Sequence, residues 1–219
     1  MKKLFRLRAR FGRGEEVKFS SHLDLIRFWQ RAMRRADLPL AYSEGFHPHP
    51  RILLALPLAL GMTSEAELMD TYLERPVGAA TFLGALQRQL PRGFELYQVF
   101  PVPLGLPSLQ SQVRFADYRV VVKTNMARSE VESAIEGLLL LKSLPWQHTR
   151  DTGERHYDLR KLIDSISLAD YSPGEAVLNM RLLAGSQGAG RPEQVIMAMG
   201  LGKPYSIHRT GLILEGKGG

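Results

Sequence analysis

The run Gly45-Phe46-His47-Pro48-His49-Pro50-Arg51 alternates imidazole with pyrrolidine. Each proline drives its preceding histidine out of the helical region and into an extended conformation. Residues two apart in an extended segment project to one side, so His47 and His49 are expected to point together. Upstream, Ser21-His22-Leu23-Asp24 could add His22 and Asp24. Three chemistries fit these residue types. The first is a metal site with His22, His47 and His49 as ligands and Asp24 or Glu44 as the carboxylate. In the second, His22, Asp24, His47 and His49 are candidate catalytic groups, one histidine acting as general acid or base on RNA while arginines hold phosphate. In the third, the histidines and prolines shape a rigid loop whose imidazoles bond backbone or phosphate.

A second constellation lies beside the first. Arg27, Arg31, Arg34 and Arg35 follow one another at spacings of four, three and one. On a helix they share a face, and each guanidinium is a fork suited to phosphate oxygens. Arg51 adds a fifth. Tyr42 and Phe46 are expected to contact unstacked bases along with His47, or else to be core. Phe19, just before the helix cap, is expected to act as a hydrophobic staple.

The elements that must position these residues are legible from periodicity. Residues 3–11 alternate as a strand. Ser20 or Ser21 caps a helix that carries Asp24 in its first turn and ends near Ala36, before Pro39. Leu25, Trp29, Ala32, Met33 and Ala36 form its apolar stripe. PHPRILLALPLALG is expected as a buried strand turning at Gly61, EAELMDTYLER as a strand, 78–90 as a helix and FELYQVFPV as a strand. That order, β-α-β-β-α-β, predicts a ferredoxin-like lobe over 1–102. Three prolines without a period over residues 101–114 predict a linker, placed at 103–115. Residues 116–219 repeat the order: DYRVVVKT, a helix capped by Ser129, a strand from Leu144 to Arg150, the pair RKLIDSISLA and AVLNMRLLA, a short helix opened by Pro192, and PYSIHRTGLILE. The expected fold is α+β, two ferredoxin-like lobes in tandem. His156-Tyr157-Asp158-Leu159-Arg160 and His208-Arg209 are expected to be solvated surface.

Composition removes whole classes of chemistry. The 219 residues contain no cysteine, so this chain alone builds no disulfide, thiolate zinc site, cysteine nucleophile or iron–sulfur cluster. No apolar run approaches the length of a membrane span. The lysines at the N-terminus lead into an alternating strand rather than an apolar stretch, which predicts a cytoplasmic protein. Charge is strongly partitioned: residues 1–60 hold twelve Lys/Arg and five Asp/Glu, whereas residues 61–219 hold seventeen of each. A basic first half is the footprint expected for a polyanion.

FSSHLDLIR, the arginine and proline pattern after it, YSEGFHPHPR and LPLALGMTSEAE together resemble the radical-SAM-linked protein family, a bacterial domain found beside or fused to radical SAM proteins. The resemblance implies a radical SAM partner that carries the iron–sulfur cluster and S-adenosylmethionine, with no cofactor in this chain. It attaches no established role to the shared residues. The combined expectation is an RNA-binding accessory protein, not an enzyme on its own, acting in ribosomal or transfer RNA modification. The alternatives are a His-dependent ribonuclease or metal-dependent hydrolase, and a protein–protein adaptor for the radical SAM partner.

Overall fold

Strand β1 (Phe5–Arg13) is buried on both of its faces. A computed structural model of the chain describes residues 4–150, 153–185 and 188–215. Among these, the chain divides into two compact units, residues 4–113 and Arg114–Glu215.

In the first unit, β1 is followed by α1 (His22–Arg35), β2 (Ile52–Leu54), β3 (Thr63–Leu73), α2 (Ala79–Gln87), β4 (Phe94–Pro101) and the one-turn helix α3 (Leu109–Gln112). The strands lie in the order β4-β1-β3, with β2 on β3, and each of these pairs is antiparallel. Register decides what each face of β1 meets. Leu7 and Ala9 join Phe11, Trp29, Met33, Met69, Leu73, Phe82 and Leu86 in one apolar core. Arg6 and Arg8, on the opposite face, sit across from Tyr72 and Asp70 of β3. They are only 3% and 4% exposed. Asp70 accepts from Arg6 Nε (2.8 Å) and Nη2 (2.5 Å) and from Arg8 Nε (2.7 Å) and Nη2 (3.0 Å). Arg6 also donates to the carbonyls of Leu106 and Pro107, both at 3.1 Å. The proline-rich segment read as a linker thus supplies acceptors to a buried cation and forms α3.

Helix α1 begins as its sequence requires. The Ser21 hydroxyl accepts from the Asp24 amide at 3.2 Å and donates to the Asp24 carboxylate at 2.7 Å. Arg13 ties down the preceding turn by donating to the carbonyls of Val17 and Ser20. At the other end Asp37 adopts φ +51. Its amide reaches the Arg34 carbonyl, and that of Leu38 reaches the Met33 carbonyl. This is a Schellman closure with Asp, which tolerates the left-handed region, in the usual glycine position. Leu25, Trp29, Ala32 and Met33 are buried as the stripe predicts. Phe19 is not a staple: it is 72% exposed, with the Lys18 ammonium 5.4 Å from its ring centroid.

The second unit comprises β5 (Val113–Thr124), α4 (Arg128–Leu140), β6 (Pro145–Arg150), β7 (Gly153–Asp158), β8 (Ile163–Ser172), β9 (Gly174–Leu183), α5 (Pro192–Ala198) and β10 (Pro204–Leu214). Its strands are ordered β10-β5-β9-β8, and β6 and β7 form a separate hairpin. Strand β7, with its polar sequence GERHYD, is an element that periodicity does not predict. Ala127, not Ser129, is the residue at the start of α4, and its amide donates to Glu130 Oε2 at 2.6 Å. A glutamate at the third helical position thereby reaches back as in a capping box.

The segment read as solvated surface around Tyr157 does structural work. Arg160 donates to the Leu139 carbonyl (3.2 and 3.0 Å), satisfying an end carbonyl of α4, and to that of Ile163 (2.8 Å). Arg209 is likewise interior, at 1% exposed. Asp158 accepts from the Leu144 amide (2.8 Å), the Ser143 hydroxyl (2.9 Å) and the Arg160 amide (3.1 Å). The Leu144 amide, helped by the other donors and by Lys161, holds its carboxyl below the ordinary carboxylate range. A carboxyl depressed on folding stabilises the fold above its unfolded value, near pH ~4, and that contribution is lost as pH falls through the lower folded value. In thermal melts below about pH 4, Asp158→Asn should therefore show a shallower acid loss of melting temperature than the parent. Equal acid slopes would contradict this role.

Candidate functional site

The HPHP segment folds back as the tip of a short hairpin in the first unit. The Ser43 amide donates to the His49 carbonyl (2.8 Å), and the His49 amide to the Ser43 hydroxyl (3.0 Å). The Arg51 amide donates to the carbonyl of Ala41. Tyr42 bridges Pro50, so residues 44–48 form the tip. Gly45 has φ +119, a conformation that side chains disfavour, and a Cβ there would meet nothing within 4 Å. Backbone geometry, not crowding, calls for glycine. At this tip Phe46 is fully exposed, at 103%, and Glu44, His47, Pro48 and His49 are exposed with it.

The structure does not unite the histidines. Among the described residues no group of three or more His, Asp and Glu could hold a metal ion. His22, His47 and His49 therefore do not make the metal site that their spacing allowed. His22 is exposed at the start of α1. Asp24 is engaged in the cap, and the Ser21 hydroxyl bond to it, with Arg27 and Arg31 nearby, lowers its carboxyl pKa. Arg27 lies 3.9 Å from Asp24.

The arginines do share a surface. Arg27, Arg31, Arg34 and Arg35 are all exposed, on the side of α1 away from its buried stripe. Arg35 donates to the side chain and carbonyl of Gln89, which steadies it. The Arg34 guanidinium stands 5.9 Å from the Tyr42 ring centroid, at the limit of a cation–π contact. Tyr42 is 41% exposed and also lines a groove of about 770 Å³. Leu4, Ala41, Ser43, Glu44, Pro48, Arg51 and Glu74 form the rest of its lining. Arg51 is held with its guanidinium 4.4 Å from the Tyr72 ring centroid. Of the predicted contact residues, Tyr42 and Arg51 meet in one groove, Arg34 touches its wall, and Phe46 and His47 occupy the adjacent tip. Glu74 and Leu4 were missed because long-range strand pairing brings them there. Glu74, just past the end of β3, is drawn in as its amide bonds the Pro39 carbonyl.

Among the described residues no helix is long and apolar enough to cross a membrane. No curated protein sequence matches the chain. Solved structures do resemble it in fold. A chain in the crystal structure of a Cbf5-Nop10-Gar1 complex superposes with a TM-score of 0.52 at 7% identity, over 94% of this chain and 48% of that one. A chain of an H/ACA RNP bound to a substrate RNA containing 2'-deoxyuridine gives 0.48 at 8% identity, over 93% and 46%. This chain thus spans about half the length of those it matches. Residues 6–192 match the family described as "Uncharacterized protein conserved in bacteria (DUF2344)", and the chain belongs to that family.

Proposed function

We propose that this protein binds single-stranded RNA through its first unit. In this reading it is a cytoplasmic accessory partner of a radical SAM enzyme, in modification of ribosomal or transfer RNA. The observation that carries the RNA part is the arginine face of α1 running, through the Arg34–Tyr42 contact, to an exposed aromatic tip. Arg27, Arg31, Arg34, Arg35 and Arg51 bind phosphates, while Tyr42, Phe46 and His47 contact unstacked bases. Burial sharpens this assignment. Arg6, Arg8 and Arg13 are interior and contribute to no surface, so the helix carries much of the exposed positive charge of the unit.

The radical SAM link rests on the shared motifs. It is consistent with a chain whose lack of cysteine leaves the cluster and S-adenosylmethionine to the partner. We also read the units as ferredoxin-like lobes, 1–102 and 116–219 joined by 103–115. Each unit's strand order is the one a β-α-β-β-α-β lobe requires, once β6 and β7 are set aside as an insertion.

Crosslinking in the native cell followed by sequencing tests the reading, with Arg31→Glu/Arg35→Glu as the control. A discrete RNA, lost in the double variant, is expected. Identical recovery from both proteins would leave the arginine face as ordinary solvated surface.

A further inference from the structure

We propose that the groove beside the hairpin tip accepts one unpaired guanine, read by the Glu44 carboxylate; this rests on the RNA-binding reading above. Three charged residues line the groove: Arg51, Glu44 at the tip, and Glu74, which is already engaged. Among the described residues, Glu44 and Arg51 form no ion pair with each other or with a third group. Arg51 is fixed on the Tyr72 ring instead. A ligand that bridges them must present an anion to Arg51 and hydrogen-bond donors to Glu44, because an ionised carboxylate only accepts. A nucleotide does both, through its phosphate and its base edge.

The donor pattern selects the base. A carboxylate has two acceptor oxygens side by side. Guanine presents two adjacent donors on its Watson–Crick edge, N1–H and the N2 amino group. Adenine and cytosine each place an acceptor beside their amino group, and uracil flanks its single N–H with two carbonyls. Against those three edges one carboxylate oxygen meets a lone pair, and only guanine satisfies both. The Tyr42 ring in the groove wall supplies an aromatic surface for the base. The groove's volume of about 770 Å³ is of the size that holds a small-molecule ligand.

The test uses the full chain at low salt with labelled short uridine oligomers carrying one central guanosine, inosine or adenosine, read by fluorescence anisotropy. Inosine keeps N1–H and lacks the amino group. The guanosine oligomer is expected to bind about tenfold tighter than the adenosine oligomer, with inosine between them. Glu44→Gln and Glu44→Ala should each reduce that preference to under about twofold without moving the melting temperature, since Glu44 is exposed at the tip. Equal affinity for the three oligomers, or a preference that survives both variants, would overturn the guanine assignment while leaving RNA binding intact. Absence of binding to all three would remove both.

Discussion

Asp70→Asn is expected to lower the unfolding free energy by about 3–5 kcal/mol, read as a fall in the urea midpoint. The replacement is nearly isosteric, so it opens no cavity and the loss is electrostatic. Asp70 is fully buried and is the carboxylate on which Arg6 and Arg8 both converge. Their side chains are 1% and 5% exposed, beyond rescue by solvent. Without the carboxylate, Arg6 keeps the Leu106 and Pro107 carbonyls and Arg8 a longer bond of 3.4 Å to Gln112. Two cations would then remain buried with dipoles alone to offset their desolvation. Total stability for such domains is about 5–15 kcal/mol, so the variant should be partly unfolded near its working temperature. The surface pair Lys123–Glu175 is the contrast. Its side chains are 58% and 36% exposed, and Glu175→Gln should leave the urea midpoint nearly where it is in the parent, since solvent screens such a pair. If the two variants melt alike, the buried cluster does not hold the unit together.

Trp29→Ala should cost about 3–5 kcal/mol, the range for removing a large buried aromatic. Trp29 is fully buried beneath the arginine face, with the rings of Phe11, Phe28 and Phe94 at 4.8, 5.0 and 5.6 Å. Phe28 stacks on Phe94 at 4.4 Å and 7°, so the indole closes a four-ring cluster between α1 and the sheet. The companion variant Trp29→Phe keeps an aromatic ring in the cluster and, like Trp29→Ala, removes the indole N–H. The indole N–H is buried with no hydrogen-bond acceptor among the described residues, and such a donor costs about 1–3 kcal/mol. Removing it offsets part of the loss in both variants, and the retained ring should leave Trp29→Phe much milder than Trp29→Ala in chemical denaturation. Both variants lack the N–H, so equal losses would mean that the phenyl ring recovers none of the packing of the indole.

Local signals were the readable part of this chain. Ser21 and the apolar stripe of α1, the alternation of β1 and the placement of Pro192 each depend on neighbours a few residues away, and each predicted its element. What depends on distant partners was not readable. Arg6 and Arg8 alternate like surface residues, and only Asp70, more than sixty positions on, makes their face interior. The partition of charge in the sequence therefore overstated the surface charge of the first unit. Phe19 fits a staple by position, yet it lies exposed beside Gly61, where a Cβ would sit 3.6 Å from its ring. Polar residues in β7 hid a strand because alternation fails when neither face is buried in a core. At the candidate site, the arginine face and the tip follow from spacing. The groove, assembled from Leu4, the 41–51 hairpin and Glu74, follows from pairing.

Phosphate binding by α1 can be read from the salt dependence of affinity for single-stranded RNA, in the parent protein and in Arg31→Glu/Arg35→Glu. Each neutralised phosphate contributes a slope of about −0.7 in log affinity against log salt. Three or more contacts on α1 should make affinity fall roughly tenfold or more between about 50 and 200 mM salt. The double variant should bind far more weakly and with a slope shallower by at least about one. Binding that is absent at low salt, or whose slope is the same in both proteins, would contradict the assignment of this helix as an RNA-binding face.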